Sequence, residues 1–232
     1  ALMNDVWDEA NVRADIAAQF KFLGDQVYNK RRSGIAEAIM KQLYYEKTGT
    51  KKVTVDRNAK SYDFDFENDI DDLISFTTEP NKLALDALKS IGVLDCSTIA
   101  YRHGSKGKKL PLATFVVGGN SLPVRLGGLH TSYPAFYKEG IITDFDVSSY
   151  YPSLLLRYGK APKGRSQDWV DIVRSLTEKR MAYKNAGDKA KSAVYKIIIN
   201  SLYGKLRSED SINYDPSLLY KTTINGQLIL VM

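Results

Sequence analysis

Two short stretches concentrate the side chains able to do chemistry. In IITDFDV, Asp144 and Asp146 stand two apart at the end of an apolar run. Alternate strand residues share a face, so both carboxylates would point to the same side. Such a pair suits a hard cation such as magnesium, and the exposed amides of the following turn, SSYYPS, suit phosphate oxygens. In the second stretch, AKSAVYKIIINSLYGKL, Lys196, Asn200 and Tyr203 are four and three apart. A helix would set this cation, amide and phenol along one side. Arg180 and Lys184, also four apart, fall on the helical segment before it. Two facing helices would offer Arg180, Lys184 and Lys196 to one polyphosphate.

The elements that must position these residues follow from periodicity and punctuation. Residues 5–23 read as a helix with Val12, Ile16, Ala17 and Phe20 at helical spacing, and 33–46 as a second, capped by Ser33. Residues 81–93 form a third helix, ending near Gly92. TFVVGG, LGGLH and IITDFDV are β-branched or aromatic runs broken by glycine, which predicts strands and turns. Pro152 stops the ladder. Residues 167–185 and 188–204 predict a helical pair joined at Asn185-Ala186-Gly187-Asp188, with Asp188 capping the second helix.

Charge supports a polyanionic partner. The 232 residues carry +6, yet Arg157 to Lys205 holds twelve basic and four acidic residues, a local +8 against −2 for the rest. Such a field suits nucleic acid or nucleotide phosphate; a solvated lysine-rich helix face is the competing reading. Arg102–Lys109 and Lys30-Arg31-Arg32 are smaller basic patches. Hydrophobic content of 44% with 26% charged residues describes an ordinary globular chain. The longest apolar runs, such as Leu228–Met232, fall far short of the roughly 20 residues that cross a bilayer, so no membrane is expected. One cysteine, Cys96, and two histidines, His103 and His130, exclude disulfide frameworks and cysteine- or histidine-rich metal sites. The sequence lacks an initiating Met and stops at Met232 inside an apolar stretch, which reads as a piece of a longer chain.

The two chemical stretches together are far more specific than either alone. DFDVSSYYPSLL resembles motif A of the family B DNA polymerases, Asp-x-x-Ser-Leu-Tyr-Pro-Ser. KIIINSLYG matches their motif B, Lys-x-x-x-Asn-Ser-x-Tyr-Gly, at every fixed position and in the same order along the chain. The resemblance is firm over about residues 115–232. Tyr150 departs from it, standing where the family usually has Leu.

This resemblance implies an α+β fold: a partial palm with an antiparallel sheet and a two-helix fingers hairpin, after a mainly helical N-terminal segment. The implied domains are 1–25 as the end of a 3′–5′ exonuclease domain, 26–113 as a linking helical region, 114–166 as palm with motif A, 167–204 as fingers with motif B, and 205–232 as the return to the palm. Asp146 would be the catalytic carboxylate holding two Mg2+ ions, with the Val147 carbonyl as a further ligand. The amides near Ser149 and Tyr150 would hold the triphosphate. Tyr151 would be the ring that leaves no room for a 2′-hydroxyl. Arg180 and Lys196, with Lys184 as a weaker helper, would neutralise the triphosphate. Asn200 and Tyr203 would line the nascent base pair, and Gly204 would let the template approach. Gly127 and Gly128, in LGGLH, would contact template DNA. Asp5, in Asn4-Asp5-Val6, resembles an exonuclease metal ligand; the competing reading is an N-capping Asp. Asp144 stays outside the motif.

The implied activity is template-dependent transfer of deoxynucleotides to a DNA 3′ end. The partners would be primer–template DNA, dNTP and replication accessory proteins, in the cytoplasm of a phage or virus host. Motif C, the Asp-Thr-Asp that supplies the second metal carboxylate, is not among the 232 residues, so these residues alone are not expected to polymerise. Two rival classes remain at this level: a glycosyltransferase using Asp144-Phe145-Asp146 as a DxD metal–diphosphate site, and a non-catalytic DNA-binding relic.

Overall fold

The computed structural model describes residues 2–50, 62–96, 111–129, 140–141 and 147–232, with the backbone alone for 2–8. It is a mixed α+β structure, mostly helical, with two small antiparallel sheets among the described residues. The chain divides into two units, one formed by residues 1–59 and 151–215, the other by 60–150 and 216–232.

The first unit is helical. Helix α1 (Leu2–Gln19) is followed by a 3-10 turn (Lys21–Leu23), α2 (Gln26–Asn29) and α3 (Arg32–Thr48). The expected helix over 5–23 stops at Gln19 because the backbone leaves helical angles at Phe20, whose buried ring meets Tyr195 edge-on at 5.9 Å. Ser33 is not the cap of α3. The extended residue Arg31 takes that place, and its carbonyl accepts the Gly34 and Ile35 amides, leaving Ser33 inside the first turn.

Helix α5 (Tyr150–Tyr158) leads into α6 (Asp168–Asn185) and α7 (Lys189–Lys205). Pro152 does not stop a ladder; it lies in the first turn of α5, where a missing N–H costs no intrahelical bond. The α6–α7 turn is built as its residues dictate. Gly187 takes a left-handed φ of +76°, and the Asp188 carboxylate accepts the Lys191 amide at 3.0 Å as an N-cap. Buried Trp169, Val173 and Leu176 on α6 and Tyr195, Ile198 and Leu202 on α7 recur at helical spacing and form the inward stripes.

Helix α3 packs against both. Buried Glu37 on α3 binds Lys205 at 3.0 Å and Lys41 at 3.2 Å, and Tyr44 exchanges hydrogen bonds with Ser166 at 3.0 Å. The Trp169 indole N–H donates to Asn213 Oδ1 at 2.6 Å within the core.

The second unit holds both sheets. Strands β1 (Asp63–Asp65) and β2 (Val93–Asp95) pair antiparallel with Asp63 opposite Asp95, and α4 (Glu79–Lys89) lies between them in sequence. Helix α4 ends three residues before Gly92, whose left-handed φ of +75° turns the chain into β2. Strands β3 (Ala113–Val117) and β4 (Asn120–Val124) form a hairpin around Gly118-Gly119. Positive φ at both glycines (+55° and +81°) is what a two-residue turn matching the strand twist demands. Asn81 of α4 holds β3 by pairing with both the N–H and C=O of Val116, at 2.7 and 2.9 Å.

The last helix, α8 (Pro216–Val231), is buried almost all round and packs on β1, β3 and β4. Its buried Thr222 and Thr223 hydroxyls donate to the Leu218 and Leu219 carbonyls at 2.8 Å, so no hydroxyl hydrogen is stranded. Among the described residues, no helix is long and apolar enough to cross a membrane.

Candidate functional site

Asp144, Asp146, and the strand expected to carry them lie outside the described residues, as do His130 and the basic segment 102–109. The turn that follows is described. Val147 is half exposed, and Ser149 is the one non-glycine residue with positive φ (+54°) among the described residues. A serine in the left-handed region is disfavoured by contact between Cβ and the carbonyl oxygen, so the surroundings must hold the turn. Tyr150 opens α5 directly after it, and its hydroxyl donates to the Gly226 carbonyl at 2.6 Å.

Tyr151 and Tyr203 are brought together. Their rings stack with centroids 4.6 Å apart and planes 5° from parallel, an offset aromatic pair. Burial pushes the Tyr151 phenol above its ordinary value, so it is a neutral, half-buried ring at any physiological pH. Tyr203 reaches it from α7, three residues after Asn200.

The rest of the α7 ridge faces outward. Lys196, Asn200 and Gly204, spaced four apart, are all exposed, and a Cβ at Gly204 would meet nothing within 4 Å. This stripe offers a cation, a carboxamide and bare backbone in sequence, with Tyr203 beside Gly204. On α6, Lys184 is exposed while Arg180 is buried (7% exposed), in line with Trp169, Val173 and Leu176. The spacing that pairs 180 with 184 on one side does not reveal this difference in burial.

At the tip of the α6–α7 hairpin, Tyr183 and Tyr195 stack at 5.6 Å, and the Lys191 ammonium sits 5.2 Å over the Tyr183 ring. Burial first, and the neighbouring Tyr183 second, raise the Tyr195 phenol above its ordinary value.

Gly127 is exposed and Gly128 partly so, in the loop after β4. Asp5 lies inside the first turn of α1 rather than at its cap. Among the described residues, no three His, Cys, Asp or Glu side chains cluster as a metal site; the carboxylate expected to hold one lies outside them.

Sequence reasoning missed three anchoring positions, two in the second unit and one in the first. Gln227 and Asn225 of α8 bind the backbone of the 125–127 and 69–71 loops, and Glu37 anchors Lys205 at the end of α7. Two carboxamides inside the otherwise apolar run INGQLILVM were the available signal for the first pair. Compared with family models, curated proteins and solved structures, the chain matches none of them.

Proposed function

We propose that the chain is the nucleotide-receiving part of a family B DNA-directed DNA polymerase, with α6 and α7 as the fingers hairpin and the second unit as part of the palm. The observation that carries this reading is the Tyr151–Tyr203 stack beside the exposed Lys196–Asn200–Gly204 stripe, because it unites residues from both polymerase motifs in one arrangement.

Each residue then has a physical task. Lys196 meets the triphosphate as an exposed ammonium, with Lys184 adding charge from α6, while Arg180 adds its positive charge from a buried position on α6. The left-handed Ser149 turn presents amides at the start of a helix, where developing phosphate charge is favoured. Tyr151, braced by Tyr203, is a rigid wall under the sugar, and a wall that cannot yield rejects a 2′-hydroxyl by shape. Asn200 and Gly204 border the base pair and template. Asp146 and the Val147 carbonyl would hold magnesium, which would supply Lewis-acid stabilisation for nucleotidyl transfer. Gly127 and Gly128 serve the template strand.

The test is equilibrium binding by the 232-residue chain in magnesium. The expected result is saturable binding of a dNTP and of primer–template DNA, the dNTP binding chiefly weakened by Lys196→Ala, with no binding of a UDP-sugar. Preference for the UDP-sugar would replace this reading with a glycosyltransferase.

A further inference from the structure

We propose that the consecutive residues Asn225, Gly226 and Gln227 form one positioning segment that fixes the nucleotide turn at Ser149–Tyr150 and the glycine loop at Gly127–Gly128 to the same helix. The inference rests on the polymerase reading for what those two loops receive; the geometry itself is that of the second unit alone.

Gln227 is 1% exposed and stands in for a strand neighbour. Its Oε1 accepts the Arg125 N–H at 3.0 Å, while its Nε2 donates to the Arg125 and Gly127 carbonyls at 2.6 and 2.7 Å. The side chain thus continues the backbone pairing of β4 past Val124, through the residues that lead into Gly127 and Gly128. Asn225, fully buried, does the same for another loop: Oδ1 accepts the Asp71 N–H at 2.8 Å, and Nδ2 donates to the Asp69 carbonyl at 2.9 Å. Between them, the Gly226 carbonyl accepts the Tyr150 hydroxyl at 2.6 Å. Three successive residues therefore grip three separate segments.

The grip is selective because of burial. A carboxamide removed from water must keep its partners, so a displaced loop would strand a donor or acceptor and is strongly disfavoured. Tyr150 carries the nucleotide end of this arrangement. Leu, which the motif usually holds at that position, has no hydroxyl to reach Gly226, so the departure from the motif brings its own tether. The tether lies one residue beyond Ser149, whose left-handed backbone persists only where its surroundings hold it. Tyr150 and Gln227 are positioning residues: neither need touch the reacting atoms through its side chain.

The experiment measures dissociation constants of the chain for a dNTP with magnesium and for a primer–template duplex. For Tyr150→Phe, the dNTP constant is expected to rise about three- to ten-fold, as for one lost hydrogen bond, with the duplex constant unchanged. For Gln227→Met, which keeps the volume and removes the carboxamide, the duplex constant is expected to rise while the dNTP constant holds. If Gln227→Met does not fold, Tyr150→Phe decides alone. An unchanged dNTP constant in Tyr150→Phe, or equal weakening of both ligands, overturns the inference while leaving the polymerase reading in place. Wild-type protein that binds neither ligand removes that reading, and this inference with it.

Discussion

The rings of Tyr151 and Tyr203 stack with centroids 4.6 Å apart and planes nearly parallel, although 52 positions separate them in the chain. Tyr151 belongs to the first turn of α5 and Tyr203 to the last turn of α7, so the stack ties the helix of one motif to the helix of the other. A ring held this way resists displacement by a ligand in a way that a lone tyrosine on a turn does not.

The first prediction concerns this wall. Tyr151→Ala is expected to strengthen ribonucleotide binding relative to deoxynucleotide binding, and Tyr203→Ala to do so more weakly by unbracing the ring. The two changes made together should fall short of additive, by about the 0.5–1.5 kcal/mol typical of an aromatic pair. Competition binding of matched rNTP and dNTP reads both effects. Equal weakening of the two ligands in Tyr151→Ala would count against a role in sugar selection.

Lys196 offers a separate measurement. On the proposed polymerase reading its exposed ammonium would contact the triphosphate, and Lys196→Ala should then cost nucleotide affinity about 1.5–3 kcal/mol, one charge-assisted hydrogen bond. Thermal stability should barely move, since the side chain is exposed. The effect should shrink in high salt, as screening weakens exposed charge. A fall in melting temperature comparable to the loss of affinity would assign Lys196 to packing instead.

Glu37 makes stability depend on acid. Burial works to raise its pKa, but the hydrogen bonds and charges of Lys205 and Lys41 together outweigh this and hold it below the ordinary 4.5. A carboxylate depressed in the folded state contributes stability that is fully present above its unfolded pKa and is lost as pH falls through the folded one. Wild-type protein should therefore lose stability below about pH 4.5, and Glu37→Gln should lose less of it there. At pH 7, Glu37→Gln should be destabilised by about 1–3 kcal/mol, the cost of weakening partners already out of water. Urea titrations of both proteins at pH 7 and pH 4 compare the slopes directly, and parallel curves would rule out the linkage.

The buried indole bond is the fourth test. Trp169→Phe keeps an aromatic ring but removes the donor to Asn213 Oδ1 and part of the packed volume. A loss of about 1–3 kcal/mol is expected from the stranded acceptor alone. Asn213→Leu made in the same background should restore part of it, because no acceptor would then be left without a donor. No recovery in the double variant, by chemical denaturation, would place the whole cost on cavity volume.

Local signals were legible and distant ones were not. Gly187 and Asp188 announced the α6–α7 turn because a left-handed position and an N-cap are choices made within a few residues. The outward stripe of Lys196 and Asn200 followed from helical period alone. Arg180 obeyed the same period yet is buried, since its burial depends on what packs against α6 and not on its own helix. Ser33 looked like a cap because its type fits one, but the extended backbone at Arg31 started the helix earlier. The Tyr150 hydroxyl and the Gln227 carboxamide find partners 76 and 102 positions away, which no local window can display. Asp146, the carboxylate that the proposed reading most depends on, lies outside the described residues.

The helical unit is assembled from two stretches of chain, and this has a consequence during synthesis. Tyr44 and its partner Ser166 are 122 positions apart. At ribosomal rates of roughly 5–20 residues per second, helix α3 waits on the order of ten seconds for the segment it will cover. Over that interval Ile35, Ile39 and Met40, each sealed in the finished protein, are open to water, and a nascent polypeptide stalled before α6 is the form most apt to recruit a chaperone.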